Sequence, residues 1–258
     1  MDYFIKNLWP VIKRDIISIL AYLGTIVTVN EVFDLFKIDI PQIIFAITLI
    51  VGILVIIIAN WPKKEYVFNI KNRDIKIRLK IGNILKEKTA IIVPTNSTFD
   101  TNMENDFISI HSVQGQVQEK YFKNNINTLD YLMEKELENR QFTELTDRDK
   151  SKNKKYEIGT TIEINQNGRR FYFLADSDIN SKGKAINPST MNITDSLSRL
   201  WQYIGEYGHV EPIAIPIIGT GRMGIVKSRE EILKYIIFSF VANNTTKKIA
   251  TELIIYIR

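Results

Sequence analysis

The chain has 258 residues, 45% of them hydrophobic and 24% charged, with a formal net charge of +5. That length holds one full domain and an appendage, and the apolar share suffices for a packed core rather than a disordered chain. There is no cysteine and only two histidines, His111 and His209, so disulfides, thiolate nucleophiles and zinc–cysteine sites are excluded, and we expect no metal and no resident cofactor.

Charge is unevenly placed. Up to residue 61 the bases Lys6, Lys13, Arg14 and Lys37 are outweighed by Asp2, Asp15, Glu31, Asp34 and Asp39, so this part nets −1 and the rest +6. A first apolar run covers about residues 16–33, with Trp9, Lys13, Arg14 and Asp15 ahead of it. A second, from Gln42 to Trp61, carries no charge. At 1.5 Å per residue it makes roughly 30 Å of helix, enough to cross a bilayer core. Trp61 and then Lys63 and Lys64 close it as interfacial residues do. These features predict a transmembrane helical hairpin over residues 1–63, with spans at about 16–33 and 42–61 and a short turn between them.

A signal peptide competes for the first run, because its start is basic; no small-residue cleavage site follows, and Asn30-Glu31 is a poor context for one. Basic residues outside both spans place both termini in the cytoplasm of a multi-pass inner-membrane protein. Thr25, Thr28 and Asn30 in the first run, and Ala46 and Gly52 in the second, fit either a subunit contact or pore, or polar and small groups without such a role.

A domain is expected over residues 64–258. Tyr66–Ile70 and Ile75–Ile81 alternate like strands around an Asn72-Arg73-Asp74 turn, a hairpin pattern. Thr89–Val93 and Arg170–Ala175 read as further strands, with helical periodicity over Val117–Phe122, Thr128–Asn139 and Ile193–Tyr207. Lys150 to Lys155 reads as a solvated loop rather than a nucleic-acid patch, and no nucleic-acid partner is expected. His111 and His209 read as structural or rim residues. Ser228 followed by Glu231 is a capping box opening a helix through Ala242, and Glu252–Ile257 is a last strand. Strands alternating with helices predict a three-layer α/β domain.

The most informative stretch is Ile213 to Gly224. An apolar β-branched run, Ile213–Ile218, reads as a buried strand, and Gly219, Gly221 and Gly224 follow it. A strand feeding such a loop ahead of a helix can cradle phosphate with backbone N–H groups. A tight strand-to-helix turn without a ligand is the plainer alternative. Gly219, Thr220, Gly221, Arg222 and Met223 would supply such a nest. The start of the helix near Gly115 and Gln116 would supply a second.

Four landmarks in this order resemble the macro domain, an ADP-ribose-binding α/β fold, over about residues 74–258. Ile81-Gly82-Asn83-Ile84 resembles its segment at the adenine end. Ile92-Val93-Pro94-Thr95-Asn96-Ser97 resembles its V-N-A-A-N strand end. Ser112-Val113-Gln114-Gly115-Gln116 stands where a first phosphate loop opens a helix, and Ile217–Gly224 resembles the second. The resemblance implies a three-layer α/β/α macro-domain-like fold with a mixed sheet. It implies Asn83 and Ile84 at the base, Asn96 at the distal ribose, and Phe99 and Asp100 near that ribose or the group beyond it. Ser112–Gln116 and Gly219–Gly224 would hold the diphosphate.

Three departures stand out. Asn83 replaces an aspartate, Val93 an asparagine, and Ser112-Val113-Gln114 the consecutive glycines of hydrolytic members. They imply binding without catalysis and no catalytic residue; a membrane-tethered ADP-ribosyl hydrolase is the alternative, and a scaffold that has lost its ligand a third. Two spans before a macro-like domain also resemble the membrane effector of type II Thoeris anti-phage systems. That resemblance implies an ADP-ribose-derived signal, such as histidine-ADP-ribose, made by a TIR-domain partner, and a homo-oligomer that disrupts the membrane.

Overall fold

The computed structural model describes residues 17–29, 31, 33, 35, 41–59, 64–70, 74–103, 108–123, 125–146, 148, 152–180, 186, 189–219 and 228–257. They belong to two units, Met1–Lys63 and Lys64–Arg258.

In the first unit, residues 17–29 (α1) and Gln42–Ala59 (α2) are helical. The Tyr22 hydroxyl donates to the Thr48 carbonyl at 2.6 Å. A Cβ at Gly52 would run into the Tyr22 ring, so Gly52 is the small residue that admits the tyrosine. Thr25 and Thr28 donate to the Ala21 and Gly24 carbonyls of their own helix, each at 3.0 Å. Their hydroxyls are therefore already bonded without a second subunit. Asn30 lies outside the described residues. The 18 residues of α2 carry no charge and rise about 27 Å, against about 30 Å of bilayer hydrocarbon. Among the described residues no helix is long and apolar enough to cross a membrane. The expected transmembrane hairpin is therefore not seen among the described residues, which do not include Asn60 or Trp61.

The second unit is built on a seven-stranded mixed sheet. Its strands are β1 (Glu65–Asn69), β2 (Lys76–Ile81), β3 (Ala90–Asn96), β6 (Thr161–Gln166), β7 (Arg169–Ser177), β8 (Ile213–Pro216) and β9 (Glu252–Ile257), in the order β1-β2-β9-β8-β3-β7-β6. The five central strands are parallel, and β1 and β6 close the two edges antiparallel. A separate two-stranded arm pairs β4 (Phe142–Glu144) with β5 (Lys154–Tyr156).

The central strands are apolar on both faces, as buried parallel strands must be. Ile92, Tyr172, Leu174, Ile213, Ile215, Leu253 and Ile255 point to one side. There they meet Leu197, Leu200, Trp201 and Ile204 of α5 (Thr190–Tyr207) and Ile232, Ile236 and Phe240 of α6 (Arg229–Thr246). The alternate residues Ile91, Val93, Phe171, Phe173, Ala175, Ala214 and Ile254 point to the other. They meet Val117 of α3 (Val113–Tyr121) and Leu129, Met133 and Leu137 of α4 (Ile126–Leu137). Three layers result, as expected.

Strands β1, β2, β3, β7, β8 and β9 and the helices overlap the segments where the sequence placed them, with ends that shift by up to four residues. Helix α3 begins four residues earlier than its periodicity, because Ser112 caps it. Residues 154–156 form β5 rather than a loop, and Lys155 pairs with Asp178 at 2.7 Å. That correction arises because the arm packs on the domain, which gives the lysines acidic partners. The capping box is present: the Ser228 side chain accepts from Glu231 N at 3.1 Å, and Glu231 accepts from Ser228 N at 3.0 Å. Ser228→Ala is expected to cost about 1 kcal/mol and lower Tm by about 2–4 °C in a thermal scan. A wild-type Tm would mean that the box adds nothing to α6.

Candidate functional site

In the parallel core, β3 and β8 are neighbours, but the chain leaves them toward opposite faces. After β3 it runs to α3, in one helical layer; after β8 it runs to α6, in the other. The loops therefore part at the carboxyl ends of two adjacent strands. That is the topological switch point where open α/β sheets form their ligand crevice. Asn96 ends β3 on one wall, and Ile217, Ile218 and Gly219 leave β8 on the other.

Gly219 has φ +77°, a left-handed backbone that side-chain-bearing residues adopt only with strain. Thr220, Gly221, Arg222, Met223 and Gly224 lie outside the described residues. Asn83 follows β2, three strands from β3 in the order β2-β9-β8-β3. At about 4.8 Å per strand, β2 and β3 lie about 14 Å apart across the sheet. Asn83 Oδ1 accepts from Leu85 N at 2.9 Å, capping a short 3-10 turn over Ile84–Lys86. Ile84 is buried among the residues under α3 and α4.

Asn96 is held by its neighbours. A register shift in the β3–β7 ladder between Thr95 and Asn96 re-aims it. Its Oδ1 accepts from Thr98 N at 3.2 Å, Thr98 Oγ1 at 3.1 Å and Asp100 N at 3.1 Å, and its Nδ2 donates to Asp100 Oδ2 at 3.1 Å. Phe99 has φ +51°, and its ring is turned into the core against Tyr156, 5.7 Å between centroids. Asp100 is buried and pairs with Arg148 Nη2 at 2.9 Å. It also accepts from Thr98 Oγ1 at 2.7 Å and Lys152 N at 3.0 Å. Both residues therefore face protein.

The start of α3 is more selective than a row of free donors. Ser112 Oγ accepts from Gly115 N at 2.9 Å, and Gln116 N donates to Ser112 O at 3.0 Å. Those two N–H groups are thus engaged inside the helix cap. Val113 and Gln114 occupy the first two helical positions, whose N–H groups the helix itself cannot satisfy. They bring the positive end of the helix dipole to the end of β3. The Gln114 side chain is buried and donates to the Asp100 carbonyl at 2.6 Å.

A buried carboxyl escaped the sequence reading. Asp176 lies on β7 beside the Asn96 end of β3, and burial pushes its pKa up to about 7 against lowering by a Ser177 hydrogen bond. It keeps the two-residue phase of Tyr172 and Leu174, core residues on the α5–α6 side. A charge in that phase was the available sign. Arg148, in the β4–β5 connection, had no sequence sign. His111 and His209 are exposed, the second just past the Gly208 cap of α5. Among the described residues no cluster of metal-ligating side chains occurs.

A family model described as Thoeris protein ThsA, Macro domain, matches residues 77–258. Solved macrodomains share the fold. One from Oceanobacillus iheyensis with MES bound has 14% identity and a TM-score of 0.52, covering 74% of this chain and 87% of its own. Another from the same organism, with ADP, has 13% identity and a TM-score of 0.53, covering 75% of this chain and 88% of its own. No curated protein matches.

Proposed function

The chain belongs to the Thoeris protein ThsA macro-domain family, and on that premise we propose that its crevice senses an ADP-ribose-derived nucleotide in anti-phage defence. The observation that carries this reading is the parting of the β3 and β8 loops at one switch point, with the α3 N-terminus on one side and the Gly219 loop on the other. The first-turn N–H groups of Val113 and Gln114, which the helix itself does not satisfy, suit a diphosphate. The three strand spacings, about 14 Å, between β2, which leads to Asn83, and β3, which ends at Asn96, suit an extended nucleotide with its base at one end and its distal ribose at the other. Thr220–Gly224 would close the cradle.

We read the site as binding without turnover. Ser112-Val113-Gln114 places side chains where hydrolytic members carry glycines, and the Gln114 side chain is anchored to the Asp100 carbonyl. The charge-free sequence from Gln42 to Trp61, followed by Lys63 and Lys64, supports a membrane anchor with both termini cytoplasmic. With a TIR-domain partner making the signal, binding would promote oligomerisation and membrane damage, provided the clustered state binds the nucleotide more tightly.

Calorimetric titration of the full chain with ADP-ribose tests the core of the proposal. Binding is expected, together with no release of ADP-ribose from an ADP-ribosylated peptide. Absence of binding across ADP-ribose derivatives would sink the sensor reading. Release that depends on Asn96 would establish the hydrolase instead. For the output, cells carrying the chain and its signal-making partner should take up a membrane-impermeant dye on infection. Dye exclusion during cell death would reduce the first unit to a tether.

A further inference from the structure

The turn after β3 is strained and held from outside. Phe99 sits at φ +51°, a conformation that a bulky side chain keeps only when its surroundings fix it. Much of that hold comes from residues 148 and 152–156, which include strand β5 of the two-stranded arm; the Gln114 side chain, donating to the Asp100 carbonyl at 2.6 Å, and the Ser177 carbonyl, accepting from Ser97 N at 2.8 Å, supply the rest. The Arg148 side chain is fully buried, 0% exposed against 1% for that of Asp100. One of its nitrogens donates to Asp100 Oδ2 at 2.9 Å, and another donates to Thr98 Oγ1 at 3.0 Å and to the Lys152 carbonyl at 2.9 Å. Lys152 N then donates to Asp100 Oδ1 at 3.0 Å, and Tyr156 N to the Ser97 carbonyl at 2.7 Å. A single guanidinium thus ties the arm to two residues of a turn whose N–H groups hold the Asn96 amide.

We propose that Arg148 is a positioning residue for the nucleotide crevice, fixing the Asn96 side chain through the Thr98–Asp100 turn without touching the ligand. This rests on the nucleotide-binding reading above. Both Asp100 oxygens accept hydrogen bonds from the arm, one from Arg148 and one from Lys152. Without Arg148 the buried carboxylate loses its counter-charge and draws water into the turn. Phe99 can then leave its strained backbone, and the amide orientation at Asn96 is no longer unique. A ligand would have to order that turn on binding, and ordering lowers affinity.

The test combines ADP-ribose titration with peptide-resolved hydrogen exchange of the full chain, comparing wild type with Arg148→Met and Arg148→Lys. In Arg148→Met the Thr98 and Asp100 amides are expected to exchange on the order of tenfold faster, while the amides of β9 keep wild-type protection. ADP-ribose affinity falls on the order of tenfold, and saturating ADP-ribose restores protection in the turn. Arg148→Lys keeps the charge but not the fork geometry, so both readouts fall between the two; it decides the matter if Arg148→Met does not fold. Unchanged affinity with a loosened turn overturns the proposal. So does an equal loss of protection in β9 and the turn, which marks a merely structural ion pair. Should the wild type bind no ADP-ribose derivative, the sensor reading fails first, and the exchange data alone then show whether Arg148 holds the turn.

Discussion

Gly115→Ala is expected to unseat the start of α3, weakening the fold and removing nucleotide binding together. A Cβ at this position would overlap the Ser109 carbonyl oxygen and lie 2.9 Å from Ile110 Cα. Both are backbone atoms, so neither can swing aside as a flexible side chain would. Ser109 also accepts from Ser112 N at 2.9 Å and from Ser112 Oγ at 2.6 Å. Pushing it away therefore disturbs the helix cap as well as the contact. Overpacking of this kind costs about 1–3 kcal/mol, and a disrupted cap about 1 kcal/mol more. In a unit of this size that lowers Tm by roughly 4–16 °C. Gly24→Ala is the control, since nothing lies within 4 Å of a Cβ there. If Gly115→Ala melts like wild type in differential scanning calorimetry, the turn at 109–112 is more yielding than its hydrogen bonds imply.

Asp176→Asn is expected to stabilise the protein, most of all above neutral pH. Burial raises the folded-state pKa of Asp176 from 3.8 to about 7, with no charged neighbour among the described residues acting on it. The sign follows from proton counts. Below pH about 4 the carboxyl is protonated in both folded and unfolded chains, and its burial is least costly. Between about 4 and 7 the folded chain holds a proton that the unfolded chain has released, so stability falls as pH rises. Above 7 the full cost is present, with an upper bound of roughly 4 kcal/mol. An asparagine never ionises and avoids that cost. Paired urea titrations at pH 8, 6 and 4 should show the variant more stable at pH 8 and the gap closing as pH falls. A gap independent of pH would mean that folding does not raise the Asp176 pKa. Because Asp176 lies beside the Asn96 end of β3, the same titrations with ADP-ribose present report whether ligand and proton compete there.

Much of the second unit was legible in the residues, for local reasons. Continuous apolar runs such as Ala90–Val93 and Leu253–Ile257 leave a strand no polar face, which demands burial on both sides. The Ser228–Glu231 box carries its own hydrogen-bond partners within one turn. The β6–β7 hairpin was equally local and still missed. Asn167-Gly168 sits between alternating runs, with φ +52° and +70°, the left-handed pair that a two-residue turn requires. The arm was different: Phe142–Glu144 is exposed along its length and β5 is lysine-rich, so neither has an apolar phase to read.

The sequence by itself determined the three-layer α/β domain, the order of the landmarks along it, and the charge-free run from Gln42 to Trp61. Those depend on periodicity and capping within a few residues of each other. Only the tertiary structure decided which landmark groups are engaged by distant parts of the chain. Gly115 looked like a phosphate glycine, yet its missing Cβ accommodates the Ser109 carbonyl and its N–H is taken by Ser112. Phe99 and Asp100 looked like ligand contacts, yet one fills the core and the other is bound to Arg148, 48 residues away in the chain. A backbone N–H or a carboxylate reads the same in sequence whether it is open or spent. Its partner comes from packing between distant segments, which no local pattern encodes.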